Sequence, residues 1–264
     1  MFRKFNVFIF MIIFGLFLSS FIQAEEEKQE PKKVFKYNST NSLSLVLTSG
    51  NNQNFSFSFD SDQNFEYKKN RINFKGSFIN SNSDGTKKTE YYYSHLKYDR
   101  KIRSIAYILG FIRYERNKLA GYNYRVALSA GGGATWIDKE SMTFTSELAF
   151  GWNNENNTQR ISLNNIPSTE VWQKTITTSF ISSIFTNKLI YKLSESTQLT
   201  IQEILFLNLE KKNDYRSNSY FSVSAAINKH LAFSTSLQII YEKMPVEGFK
   251  DTDLYLLSSL VIKI

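Results

Sequence analysis

Few side chains in this 264-residue sequence could do covalent chemistry, and their spacing argues against it. Cysteine is absent, which removes disulfides, thiolate metal sites, cysteine nucleophiles and a cysteine-borne lipid anchor together. The histidines are His95 and His230. Ser94 beside His95 has the composition of a serine–histidine hydrolase. Neighbours on a strand point to opposite faces, however, and a nucleophile must lie within hydrogen-bond reach of its base. His230 falls in a tight polar turn, Asn228-Lys229-His230. No pair of His, Asp or Glu shows ligand spacing, so no metal, cofactor or catalytic residue is assigned. Gly131, Gly132 and Gly133 lack the helix opening and the Lys-Ser/Thr of a phosphate loop. They read as strand glycines where backbone or a large side chain packs closely.

Four charges point further: Arg113, Glu115, Arg125 and Glu147. They share the polar phase of three consecutive alternating segments, and side chains opposite each other on paired strands approach to ~5 Å. In a barrel all four face the lumen. They could line an ion path or a substrate wall. The favoured reading is a structural plug, in which paired charges fill a narrow interior and satisfy one another. Tyr91, Tyr92, Tyr93, Tyr122 and Tyr124 gather near outer strand ends, and an interfacial aromatic girdle explains them better than a sugar platform.

The elements that must position these residues are strands. The chain is 42% hydrophobic and 16% aromatic with 11 Gly and 3 Pro, enough for one ordered domain and rich in the Phe and Tyr that favour strands. From Asn41 onward, twelve alternating segments follow, from Leu43, Leu45 and Leu47 in the first to Thr252–Ile264 in the last. Read backwards in steps of two, the last gives Ile264, Ile262, Leu260, Ser258, Leu256 and Leu254. A period of two with one apolar face suits a strand between lipid and a polar interior, where ~9–11 residues cross the bilayer at a tilt. Tight connections near residues 68, 99, 138, 194 and 228 alternate with longer ones near 81, 153, 211 and 244. Short periplasmic turns and longer external loops alternate in this way in outer-membrane barrels. Bulges are expected near Phe185 and Glu203, because the eighth segment changes phase and an acid falls on the apolar phase of the ninth.

The N-terminus supplies an address. Arg3 and Lys4, an apolar core from Val7 to Leu18 and a short run to Ala24 have the layout of a signal peptide, residues 1–24. Residues 25–39 are charged and unpatterned and read as a flexible periplasmic lead-in to a barrel at 40–264. Net charge is +8, but the basic residues sit mostly at turns rather than in one patch, so no nucleic-acid partner is expected.

Three stretches, LSLVLTSGNNQNFSFS, RYERNKLAGYNYRVALSAGGGATW and TDLYLLSSLVIKI, resemble a bacterial domain-of-unknown-function family. Its members are called salt-induced outer-membrane proteins. The resemblance spans roughly residues 40–264 and implies a 12-stranded barrel with a role in envelope stress; Ile264 stands where the family usually ends in an aromatic. Together these readings give an all-β, antiparallel transmembrane barrel of about 12 strands, monomeric, in the outer membrane of a Gram-negative-type bacterium with both termini periplasmic. Its expected partners are outer-membrane lipid, lipopolysaccharide and, through Thr252 to Ile264, the barrel-assembly machinery. Its expected function is non-enzymatic, as a narrow passive channel or a structural barrel. The alternative is an outer-membrane hydrolase of lipid or peptide with an unrecognised site.

Overall fold

A computed structural model describes residues 35–48, 54–83, 86–118, 120–161 and 172–263. The proposed signal peptide, most of the lead-in and Ile264 lie outside them. The described residues form twelve strands: β1 (Phe35–Thr48), β2 (Asn54–Tyr67), β3 (Asn70–Ser83), β4 (Thr86–Lys101), β5 (Ala106–Asn117), β6 (Tyr122–Asp138), β7 (Met142–Ile161), β8 (Trp172–Lys192), β9 (Thr197–Asn208), β10 (Tyr215–Ala226), β11 (Leu231–Glu242) and β12 (Thr252–Lys263). Each pairs antiparallel with its sequence neighbours, and β1 pairs with β12, so the sheet closes into a barrel. Closure removes the free edges that unpaired backbone groups would present to hydrocarbon. This is the antiparallel barrel of outer-membrane type.

The first strand begins at Phe35, five residues inside the expected lead-in. Phe35 and Tyr37 are responsible: both take the outward phase and pack on Phe65 of β2, at ring-centroid distances of 6.4 and 4.9 Å. The closing seam is short. Its ladder runs from Thr40↔Lys263 to Leu43↔Leu260, four pairs, whereas β11 and β12 pair continuously from Leu231↔Ile262 to Tyr241↔Thr252. Just beyond the seam ladder, the Ser44 and Ser259 hydroxyls meet at 2.5 Å.

Alternation sorts the side chains. Leu43, Phe59, Ile72, Leu96, Ile112, Leu128, Phe150, Leu207, Phe233 and Leu256 are exposed on the outer surface, while the opposite phase faces the lumen. On β7 the outward residues from Phe144 to Trp152 are apolar apart from Ser146, and then change to Asn154, Asn156 and Thr158. That apolar run is about 26 Å long at ~3.3 Å per residue, the order of thickness that a tilted strand must cover. The β7–β8 hairpin continues beyond it, with strands of 20 and 21 residues against 12 in β9 to β12. At the other rim Tyr37, Tyr67, Tyr98, Trp136 and Tyr191 are exposed on the outside and form an aromatic belt.

The expected bulges near Phe185 and Glu203 are absent. β7–β8, β8–β9 and β9–β10 pair without a shift through this region. The phase change in β8 arises because Ile184 faces the lumen, packed with Phe180 and Phe206. Glu203 does face outward, in a polar track of laterally paired residues, Ser146↔Asn187↔Glu203↔Ser219. Ser146 donates to Asn187 at 2.7 Å and Ser219 donates to Glu203, so the track satisfies part of its own polarity without a bulge. Register shifts occur instead at Ser81/Asn82, Glu115/Asn117, Tyr122/Tyr124 and Thr135/Ile137.

Candidate functional site

The lumen has two unlike halves, one at the end of the tight turns, where β1 begins and β12 ends (the turn end), the other at the end of the remaining loops (the loop end). At the loop end, ladder register places Glu115 on β5 directly opposite Arg125 on β6, and Arg125 opposite Glu155 on β7. Arg125 lies 3.4 Å from Glu115 and 3.7 Å from Glu155, and it pairs more closely with Glu242 of β11 on the far wall. Its guanidinium sits 3.2 Å from the ring centroid of Tyr122, whose hydroxyl donates to Glu242 at 2.8 Å. Arg216 of β10 donates two hydrogen bonds to Glu155, one of them at 2.9 Å, and lies 3.7 Å from Asp214. The guanidinium–carboxylate pairs therefore bridge β5, β6 and β7 to β10 and β11 straight across the lumen. Arg125, Glu115, Glu155 and Glu242 are all buried. Buried charges persist only when paired, and here each guanidinium has at least two acids.

A lid covers this cluster. The β11–β12 loop, residues 243–251, packs Val246 and Phe249 against Ala120 and Tyr122 at the start of β6. β11 and β5 stand six places apart in a ring of twelve, so the loop crosses the mouth to reach the opposite wall. Gly121, at φ +83°, makes the landing possible, since a Cβ there would lie 2.6 Å from the Phe249 ring.

The turn end is organised around Tyr107. Its ring lies over Gly133 of β6, where a Cβ would come within 2.7 Å of the hydroxyl, and that hydroxyl donates to Glu147 of β7 at 2.7 Å. Gly133 thus lets a β5 side chain pass over β6, which is the close packing expected of these strand glycines. Lys97 of β4 also pairs with Glu147 and lies 3.4 Å from Asp99, which Arg71 holds at 2.5 Å. Lys75 of β3 lies 3.3 Å from Asp62, and each side chain keeps 32% of its surface exposed. The lumen therefore stays open to solvent here, whereas the charges at the loop end are buried.

All four charges singled out in the sequence face the lumen, but they do not form one group. Arg125 and Glu115 join the loop-end cluster, while Glu147 belongs to the turn-end cluster. Arg113 makes no ion pair among the described residues, and its electrostatic neighbours include Glu155 and Tyr93. Sequence reasoning missed Lys97, Glu155, Arg216 and Glu242, although each sits on the polar phase of its strand and could have been found by that parity. The tyrosine girdle is corrected in part. Tyr91 and Tyr122 are buried and Tyr93 shares the lumenal phase with Tyr91, because residues 91 to 93 must alternate; Tyr92 and Tyr124 take the outward phase.

The histidines meet no nucleophile among the described residues. His95 faces the lumen between Tyr93 and Phe111, at 6.2 and 5.0 Å between centroids, while Ser94 takes the opposite phase. His230 is exposed in its turn, with its ring Nδ1 3.2 Å from the Lys263 carbonyl oxygen.

Residues 42–264 match the model of DUF481, a family of proteins of unknown function. Three solved barrels are similar in architecture. The COG4313 outer membrane channel from Pseudomonas putida F1 is 9% identical, with a TM-score of 0.47 over 92% of this chain and 100% of that one. The NanC porin is 8% identical, with a TM-score of 0.43 over 86% and 97%. The translocator domain of the autotransporter NalP from Neisseria meningitidis is 10% identical, with a TM-score of 0.45 over 89% and 88%. No curated protein matches the sequence. The chain belongs to the DUF481 family.

Proposed function

We propose that this DUF481 protein is a non-enzymatic, monomeric outer-membrane barrel whose loop end is closed, so that it acts in the envelope as a plugged structural barrel rather than an open pore. The observation that carries this reading is the cross-lumen ion-pair cluster of Arg125 and Arg216 with Glu115, Glu155 and Glu242, roofed by the 243–251 loop. Residence in the outer membrane is supported by the exposed apolar band, its aromatic belt and the closed ladder. Short turns between β2 and β3 or β6 and β7 favour placing the turn end, with both termini, in the periplasm. Outer-membrane lipid and lipopolysaccharide would then surround the band, and β12 would present its apolar phase to the assembly machinery. The salt-linked role implied by the family resemblance predicts that the protein's abundance rises in cells grown at elevated salt.

A hydrolase is not favoured, because the lumenal His95 is enclosed by aromatic rings and Ser94 points away from it. Planar-bilayer recording of the refolded protein tests the plug. The wild type should show no sustained conductance, and Arg125→Ala should open steps. Steady porin-like conductance in the wild type would overturn the reading, as would hydrolysis of lipid or peptide that His95→Ala abolishes.

A further inference from the structure

The two halves of the lumen differ in how their charges are matched. In the plug, each guanidinium has two or more acids within 4 Å. At the turn end, Glu147 already takes Lys97 and the Tyr107 hydroxyl, and Asp99 takes Arg71 and Lys97. A further lumenal carboxylate, Asp62, serves Lys75. Lys75 reaches it at 3.3 Å, and the Asn73 and Asn64 amides donate to it at 2.5 and 2.9 Å.

Lys188 is the second lysine. It sits on β8 between Thr145 and Gln202, six places around the ring from β2, on the lumenal phase. Its electrostatic neighbours are nonetheless Lys75, Asp62, Lys97 and Glu147, so the two lysines face each other across the interior. Among the described residues Lys188 forms no ion pair, and the Asp62 carboxylate beside it is already taken by Lys75. A third group faces the same space. His95 lies directly opposite Lys75 in the β3–β4 ladder, and its Nδ1 is buried without a hydrogen-bond partner.

We propose that Lys75, Lys188 and His95, with Asp62 holding Lys75 in place, form a binding site for a small soluble oxyanion (a phosphate or carboxylate group) that enters from the turn end. Ammonium groups, and a His95 Nδ1 in the tautomer that carries its hydrogen there, are donors that need separate acceptor oxygens, and an oxyanion supplies several from one centre. It also supplies the negative charge that an unmatched, half-buried lysine lacks. The exposure of Lys75 and Asp62 provides the solvent path. The site does not rest on the plug, which lies at the opposite end of the lumen.

Calorimetric titration of the refolded barrel tests this, in an uncharged detergent so that no lipid headgroup can supply the anion. Inorganic phosphate and acetate are the probes, each against sodium chloride at equal ionic strength. The expected result is saturable binding of at least one oxyanion, weakened tenfold or more by Lys188→Met and by Lys188→Gln, and several-fold by His95→Phe, which keeps the ring but removes Nδ1. Lys229→Met, in an exposed turn, should bind as the wild type does. Heat-modifiable gel migration verifies that each variant is folded. Absence of saturable binding for both probes, or unchanged binding in folded Lys188 variants, would overturn the site while leaving the conductance result for the plug untouched.

Discussion

Arg125 and Glu242 pair across the lumen from strands five places apart in the ring and 117 positions apart in sequence. Removing one partner of a buried pair leaves the other charge desolvated and unmatched, which costs about 3–5 kcal/mol. Arg125→Ala should therefore lower the barrel's unfolding free energy by that order and shift its heat-modifiable migration to lower temperature. The double variant Arg125→Met with Glu242→Leu should recover part of the loss, because Glu115 still lacks its cation and the Tyr122 hydroxyl its acceptor. Equal destabilisation by the single and double variants would show that the pair is not what holds this end closed.

The unequal filling of the lumen can be read with a single thiol, because the native chain contains no cysteine. Asn153→Cys, at a buried position toward the loop end, should resist a small water-soluble maleimide. Lys75→Cys, at a position left a third exposed, should label within minutes. Adding Phe249→Ala to the Asn153 probe removes the lid's aromatic anchor and should speed its labelling severalfold. Similar rates at both positions in the parent background would contradict a one-ended lumen.

Gly133 and Tyr107 should behave as a coupled pair. A methyl group at 133 would come within 2.7 Å of the tyrosine hydroxyl, so Gly133→Ala should destabilise by about 1–3 kcal/mol, as overpacking does. Tyr107→Ala should remove most of that penalty in a double-mutant cycle of urea unfolding. Additive effects would mean that the ring does not occupy the space over β6.

Glu203 is an acid on the outer wall, with Ser219 as its hydrogen-bond partner. Acidic side chains facing hydrocarbon are destabilising by less than the ~2–4 kcal/mol of a basic one at the midplane. Glu203→Leu should raise the unfolding free energy in lipid vesicles by about 1 kcal/mol. Lower stability would indicate that the polar track from Ser146 to Ser219 works as a unit.

Much of the fold was legible because parity is a strong signal. Leu43, Phe59, Ile112 and Leu256 announce the outward phase, and once it is fixed the lumenal placement of Arg113, Glu115, Arg125 and Glu147 follows. What parity cannot carry is distance across the barrel. Arg125 meets Glu242, and Lys188 comes within electrostatic reach of Lys75, by virtue of ring closure, which no local pattern records. Local rules also misplaced the irregularities. The outward Glu203 and the lumenal Ile184 suggested bulges, yet a serine partner satisfied the first and lumenal phenylalanines accepted the second. Tyr91 and Tyr93 looked interfacial by residue type, but their position in a three-residue run sent both inward.

The short ladder between β1 and β12 also bears on how the molecule is made and taken apart. Ser44 and Ser259 are 215 positions apart, and the rungs beside them join the first strand to the last. The entropy lost in bringing such distant ends together grows only with the logarithm of the intervening length, so a few rungs can hold them. Every other joint is a hairpin between consecutive strands and can form locally, whereas this one must wait until the rest of the wall has curled round. The clasp that turns a ribbon into a cylinder is thus its shortest fastening, the last to engage during assembly and the first place where heat or a competing strand would pry it open.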